Sequence, residues 1–178
     1  MSSETLTTLS YTILGLVGRN GASTPELVDG ARRGAPLIWA GAESQIYSEA
    51  RRLASLGYLE TEKQPAKTRS RTFYRLTERG RETLMGWLGT PAPFPRIQHE
   101  AAIRLLAADF VPDETTLAAL RPLRGEIERR EALLAESEAA AHGLPHRERY
   151  LLLQLSLVRR LLRAHRDWLD ELERELGE

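Results

Sequence analysis

Between Gly57 and Thr77 the apolar pattern of this chain changes period, and no other feature of its 178 residues constrains the fold as strongly. Before the change, three segments repeat apolar residues at helical spacing. Residues 5–19 carry Leu6, Leu9, Ile13, Leu16 and Val17 and stop at Asn20-Gly21. Ser23 or Thr24 then offers an N-cap and Pro25 suits the first helical position. Leu27, Val28 and Ala31 give that helix an apolar face as far as Gly34-Ala35-Pro36. A third helix is predicted from about Glu43 to Ser55, with Ile46, Ala50, Leu53 and Ala54 in one stripe and Gly57 closing it. Ser44, Gln45, Tyr47, Ser48, Arg51 and Arg52 fall on its other side. After the change, Tyr58-Leu59-Glu60-Thr61-Glu62 and Thr72-Phe73-Tyr74-Arg75-Leu76 read as two strands around a polar, basic tip, residues 64–70. A fourth helix starts at Thr77 and carries Leu84, Trp87 and Leu88 on its apolar side.

Three helices and a hairpin within about 75 residues follow the order of a winged helix-turn-helix, in which the third helix fits the DNA major groove and the hairpin lies by backbone or minor groove. Net charge gives this reading nothing, because 25 Lys+Arg balance 25 Asp+Glu. The distribution does. Residues 1–90 hold 12 Lys+Arg against 9 Asp+Glu, and residues 91–178 hold 13 against 16. Both lysines, Lys63 and Lys67, sit with Arg69, Arg71 and Arg75 in and beside the hairpin tip. Alone, such a cluster is either a solvated surface or a phosphate patch. Its place at the wing, after a helix with short polar side chains at its start, satisfies two separate demands of DNA binding. Ser44 and Gln45 are therefore candidates for reading base edges, Ser48 for DNA contact, and Arg51 for a phosphate. Lys67, Arg69 and Arg71 are candidates for backbone or minor-groove contact, which makes binding salt-sensitive. Tyr47, on the same outward side, is either a candidate for DNA contact or packs its ring.

Residues 89–95 hold three prolines, so we place a DNA-binding domain at 1–90, a linker at 91–95 and a second domain at 96–178. No strand pattern follows. A helix is predicted from about Arg96 to Phe110, then a longer one to about Ala141 that Pro122 kinks or breaks. His142-Gly143-Leu144-Pro145 turns the chain into a final helix over about 147–176. There Leu151, Leu155, Val158, Leu162, His165, Leu169, Leu172 and Leu176 alternate at spacings of four and three, beside a second stripe of Tyr150, Leu157, Leu161, Ala164 and Trp168. Neighbours within the chain are few, so a partner subunit is the simplest cover; a monomeric three-helix bundle is the alternative. His165, within that stripe, either titrates or binds metal, or it makes a hydrogen bond that sets register. Trp39 and Trp168 either stack on a ligand or fill space.

The sequence also narrows the chemistry. There is no cysteine, hence no disulfide, thiolate metal site or thiol nucleophile. Glycine-rich phosphate loops and nucleophile-elbow motifs are missing, and Gly143 and Pro145 deny His142 and His146 a shared helical face. No enzyme activity, cofactor or metal is expected. No run approaches the roughly 20 apolar residues of a membrane span, and no basic residue precedes the first apolar run, so we expect a cytoplasmic protein.

Four runs resemble the PadR family of transcriptional regulators: Leu9-Ser10-Tyr11-Thr12-Ile13-Leu14-Gly15-Leu16; Trp39 with Ser44-Gln45-Ile46-Tyr47; Arg52-Leu53 with Leu56-Gly57-Tyr58-Leu59; and Tyr74-Arg75-Leu76-Thr77-Glu78-Arg79-Gly80-Arg81. The likeness is close over about residues 6–90 and continues by layout in the larger members with a helical C-terminal domain. Ser23-Thr24-Pro25-Glu26-Leu27 stands where the family's second helix commonly has a Gly-Tyr-Glu-like sequence. The expected fold is mainly α with a small β-hairpin wing: an N-terminal winged helix-turn-helix plus a C-terminal helical, coiled-coil-like dimerisation domain. The resemblance implies a homodimeric repressor on a pseudo-palindromic operator in double-stranded DNA, released in many relatives by a small aromatic or lipophilic effector. Its geometry sets half-sites roughly 34 Å apart. The competing reading is a protein–protein adaptor built on a degenerate winged domain and a helical scaffold.

Overall fold

The computed structural model describes residues 5–34, 43–65 and 71–177. They divide into two compact units, the first ending at Ala92 and the second starting at Pro93.

The first unit opens with α1 (Thr8–Val17). The Ser10 N–H donates to the Thr7 hydroxyl at 3.3 Å, and the Thr7 N–H donates to the Ser10 hydroxyl at 2.9 Å. This reciprocal cap satisfies two otherwise unpaired donors, so the helix starts at Thr8 and not at residue 5. At Gly21 the backbone takes φ +78°, and a Cβ there would lie 2.7 Å from the Tyr74 carbonyl oxygen. That close approach lets β1 (Ala22–Ser23) pair with β3 (Arg71–Leu76), Ala22 opposite Tyr74. The sequence reading missed β1, since two residues carry no alternation. It also placed Pro25 first in α2, whereas α2 (Thr24–Gly34) begins one residue earlier. The Glu26 carboxylate accepts both the N–H and the hydroxyl of Ser23, at 2.7 and 2.6 Å, which holds the strand against the helix start.

α3 (Glu43–Ser55) has the expected bounds, and it buries Ile46, Ala50 and Leu53. It ends in a Schellman motif: Gly57, at φ +76°, donates to Ala54 and Tyr58 donates to Leu53, both at 3.0 Å. β2 (Leu59–Gln64) then runs antiparallel to β3, from Leu59 opposite Leu76 to Gln64 opposite Arg71, giving sheet order β1-β3-β2. α4 (Glu78–Leu88) is capped by Thr77, whose hydroxyl accepts the Gly80 N–H at 3.0 Å. Ile13, Leu14, Val17, Leu27, Leu59 and Tyr74 join the α3 stripe in one buried cluster.

In the second unit the helix expected over 96–110 is shorter and broken. His99 caps α5 (Glu100–Leu105) by accepting the Ala102 N–H on Nδ1 at 3.1 Å. Ala107, at φ −129°, then leaves the helical region before a single 3-10 turn, Ala108–Phe110. Pro122 does divide the next segment, into α6 (Asp113–Leu120) and α7 (Pro122–Ala141). Proline is tolerated there because the first residue of a helix needs no N–H donor. α8 (Glu148–Leu176) returns antiparallel to α7. Arg124 meets Asp170 at 2.7 Å and Glu173 at 2.9 Å, Glu131 meets Arg166, and Glu138 meets Arg159. Ile127, Leu134 and Leu120 share a buried cluster with Leu155, Val158, Leu162 and Leu169. No helix among the described residues is long and apolar enough to cross a membrane.

Candidate nucleic-acid interface

Burial of Ile46, Ala50 and Leu53 decides which side of α3 is free. Ser44, Gln45, Tyr47, Ser48 and Arg51 are all exposed on the arc opposite. Two of them turn back onto their own helix. The Ser48 hydroxyl donates to the Gln45 carbonyl at 3.1 Å, and Arg51 Nε donates to the Tyr47 carbonyl at 3.2 Å. Each is a single exposed bond that a phosphate or a base edge replaces at little cost. Arg52, read from sequence as a sixth outward residue, is elsewhere. It pairs with Glu49 at 2.7 Å and reaches Ser10 of α1 at 3.4 Å, so its charge is committed inside the unit.

The hairpin brings Arg71 to the outer end of β3, exposed and opposite Gln64, with Lys63 exposed one residue along β2. Lys67 and Arg69 lie outside the described residues, as does Trp39. Cross-strand register adds what the sequence reading did not weigh: Glu60 faces Arg75 and Glu62 faces Phe73, so Gln64, Arg71, Phe73 and Arg75 share a strand face with two acids. Arg75 also lies over the Phe73 ring, 4.9 Å from its centroid. Strand alternation was the available signal, since residues two apart on a strand share a side. Glu26 is held below the usual carboxylate range by the Ser23 hydroxyl and N–H, against partial burial, with the Arg71 charge adding to the effect.

The Leu76-Thr77-Glu78-Arg79-Gly80 run acts as a brace between the end of α3 and the start of α4. The Thr77 hydroxyl donates to the Gly57 carbonyl at 2.7 Å, and Arg79 donates to the Leu56 carbonyl at 3.0 Å. The Arg79 guanidinium also lies 4.4 Å from the Tyr58 ring centroid. A Cβ on Gly80 would meet the Tyr58 carbonyl oxygen at 2.1 Å, so only glycine permits this approach.

The stripe assigned from sequence to a partner subunit is partly spoken for. Leu155, Val158, Leu162 and Leu169 are buried within the chain's own second unit, because antiparallel α7 packs against them. Leu151, His165 and Leu172 are half-buried. His165 donates from Nδ1 to the Leu161 carbonyl at 2.6 Å and stacks on His99, with ring centroids 4.9 Å apart. Trp168 meets the edge of His99 at 5.3 Å and packs against the same cluster. Tyr150 and Leu157 of the second stripe stay exposed, at 70% and 50%. Among the described residues no group of three or more His, Asp or Glu could hold a metal.

A unit of four helices with a small antiparallel sheet, a hairpin wing and a polar third-helix face defines a winged helix-turn-helix protein. Residues 13–85 match the family model described as the transcriptional regulator PadR-like family. The negative transcriptional regulator PadR of Bacillus subtilis is 26% identical over 178 residues, covering 92% of this chain and 94% of the relative. The crystal structure of Bacillus subtilis PadR in complex with operator DNA superposes with a TM-score of 0.71 at 21% identity, covering 96% of this chain and 98% of that one. The structure of the same protein with p-coumaric acid also gives 0.71, at 18% identity, covering 98% and 99%. Residues 13–85 are thus similar to the PadR-like transcriptional regulators, and the likeness to the relative extends over nearly the whole chain. The adaptor reading is not favoured, since these relatives regulate transcription.

Proposed function

We propose that the chain is a cytoplasmic, non-enzymatic repressor that binds a pseudo-palindromic operator as a homodimer. The observation that carries the reading is the free polar arc of α3, where Ser44, Gln45, Tyr47, Ser48 and Arg51 are exposed together while the apolar arc is buried. In this reading Ser44, Gln45 and Ser48 meet base edges, Tyr47 and Arg51 meet the backbone, and Lys67, Arg69 and Arg71 anchor the wing on phosphates. A related protein named as a negative regulator, with a structure on operator DNA, supports the repressor reading. Residues 91–95 serve as the linker, and the second unit joins two copies.

Because α7 covers Leu155, Val158, Leu162 and Leu169, the dimer contact falls to the half-buried Leu151, His165 and Leu172 and to the exposed Tyr150 and Leu157. A small aromatic or lipophilic effector fits the relative whose structure holds p-coumaric acid, and Trp39 and Trp168 are the aromatic side chains assigned to it. The deciding experiment is a gel shift of the chain's own upstream DNA at low salt, followed by footprinting. A protected palindrome is expected; if no fragment shifts, the reading fails.

A further inference from the structure

Ser10 is fully buried, and its hydroxyl is the centre of a polar knot between α1 and α3. It donates to Glu49 Oε1 at 2.5 Å and accepts from Arg52 at 3.4 Å and from the Thr7 N–H at 2.9 Å. Glu49 in turn takes two bonds from Arg52, at 2.7 and 2.8 Å. Glu49 stands on the same helix as Ser44, Gln45, Ser48 and Arg51 but on the flank between its buried and free arcs, and the Arg52 side chain is bound to it. α1 is itself held from the other side by Tyr11, which stacks on Trp87 of α4 with centroids 4.5 Å apart.

We propose that Ser10 and Glu49 are positioning residues, which set the rotation of α3 about its axis so that its free arc meets base edges in register. The proposal rests on the operator reading above and adds to it the residues that act without touching DNA. Apolar burial is non-directional: Ile46, Ala50 and Leu53 hold α3 against the core but tolerate small rotations. Hydrogen bonds are directional and close within a few tenths of an ångström. A side-chain tip lies about 6 Å from the helix axis, so a turn of about 20° carries it through about 2 Å, enough to lose a base-edge bond. The knot supplies the missing angular constraint. It also commits the Glu49 carboxylate to Arg52 and Ser10 inside the unit.

The test compares the full chain with Ser10→Ala, Glu49→Ala and Thr7→Ala. Affinity is measured for the footprinted operator and for an unrelated duplex of equal length at one salt concentration, together with thermal melting. Ser10→Ala keeps every charge. Glu49→Ala opens no hole in the apolar core, and Thr7→Ala breaks the α1 cap while leaving the link to Glu49. The expected result is a fall of about tenfold in operator affinity relative to the unrelated duplex for the first two, the size of one mismatched base pair. Thr7→Ala should lower the melting temperature and leave the ratio unchanged. The proposal is overturned if Ser10→Ala and Glu49→Ala keep the wild-type ratio, or if Thr7→Ala lowers it equally. A wild-type chain that does not distinguish the two duplexes overturns the operator reading and this proposal together.

Discussion

Gln45 is exposed near the start of α3 and its side chain can donate and accept at once, which is what bidentate contact with adenine requires. Replacing it with Ala should cost about 1–3 kcal/mol of operator affinity and nothing on unrelated DNA, read by titration at constant salt. Glu49 leads to a different measurement. The Arg52 hydrogen bond, aided by Ser10 and opposed by partial burial, holds its carboxyl below the ordinary value. A carboxyl depressed in the folded state stabilises the protein fully above its unfolded pKa, about 4.3 for Glu, and loses that contribution as pH falls through the folded value. Urea midpoints of wild type and Glu49→Gln should therefore differ by a constant amount from pH 7 to 5 and converge below about pH 4. A gap that widens on acidification would contradict this. Neither Ser10 nor Glu49 was picked out by the sequence reading, because a polar residue on a helix flank looks solvated until its partner from another helix is known.

For the elements, legibility followed the kind of signal. The bounds of α3 could be read because an apolar stripe and a left-handed glycine are both local. The two residues of β1 could not, since their partner lies about 50 positions away, and periodicity never registers so short a strand. The helix over 96–110 was overdrawn because histidine is an uncommon N-cap and gave no start signal at 99. The leucine stripe of α8 was found, but periodicity says only that a face is covered and not by which chain. Energetics separate the parts of the α7–α8 pair. Leu162→Ala, at a fully buried site, should destabilise the chain by about 2–5 kcal/mol, whereas Glu131→Gln, at an exposed bridge, should cost under about 1 kcal/mol. Gly80→Ala should cost about 1–3 kcal/mol, because the added methyl meets the Tyr58 carbonyl. Denaturant midpoints of the three variants should rank Leu162→Ala lowest and leave Glu131→Gln nearest wild type.

At the scale of the whole molecule, the proposed dimer is tested by light scattering at micromolar concentration, with an expected mass about twice the 20.0 kDa of one chain. Tyr150→Arg with Leu157→Arg should return the monomer mass and leave the helical signal intact, since both side chains are exposed in one chain. The wing makes a separate demand. Changing Lys67, Arg69 and Arg71 to Ala should weaken binding to all duplexes alike and lower the log–log salt slope by about three. The two experiments divide the chain by role, one half joining copies and the other holding phosphates.

The bridges between α7 and α8 also carry information. Ile127 and Leu134 on one helix, and Leu155, Leu162 and Leu169 on the other, recur every seven residues, so apolar layers alone would match equally well after a slide of one heptad. The charges would not. Along α7 the ladder runs plus, minus, minus at Arg124, Glu131 and Glu138, against minus, plus, plus at Glu173, Arg166 and Arg159. A slide in one direction sets Arg124 against Arg166; in the other it sets Glu131 against Glu173. The hairpin thus works as a short code word with a parity check, in which every misalignment of seven is marked by a like-charge clash.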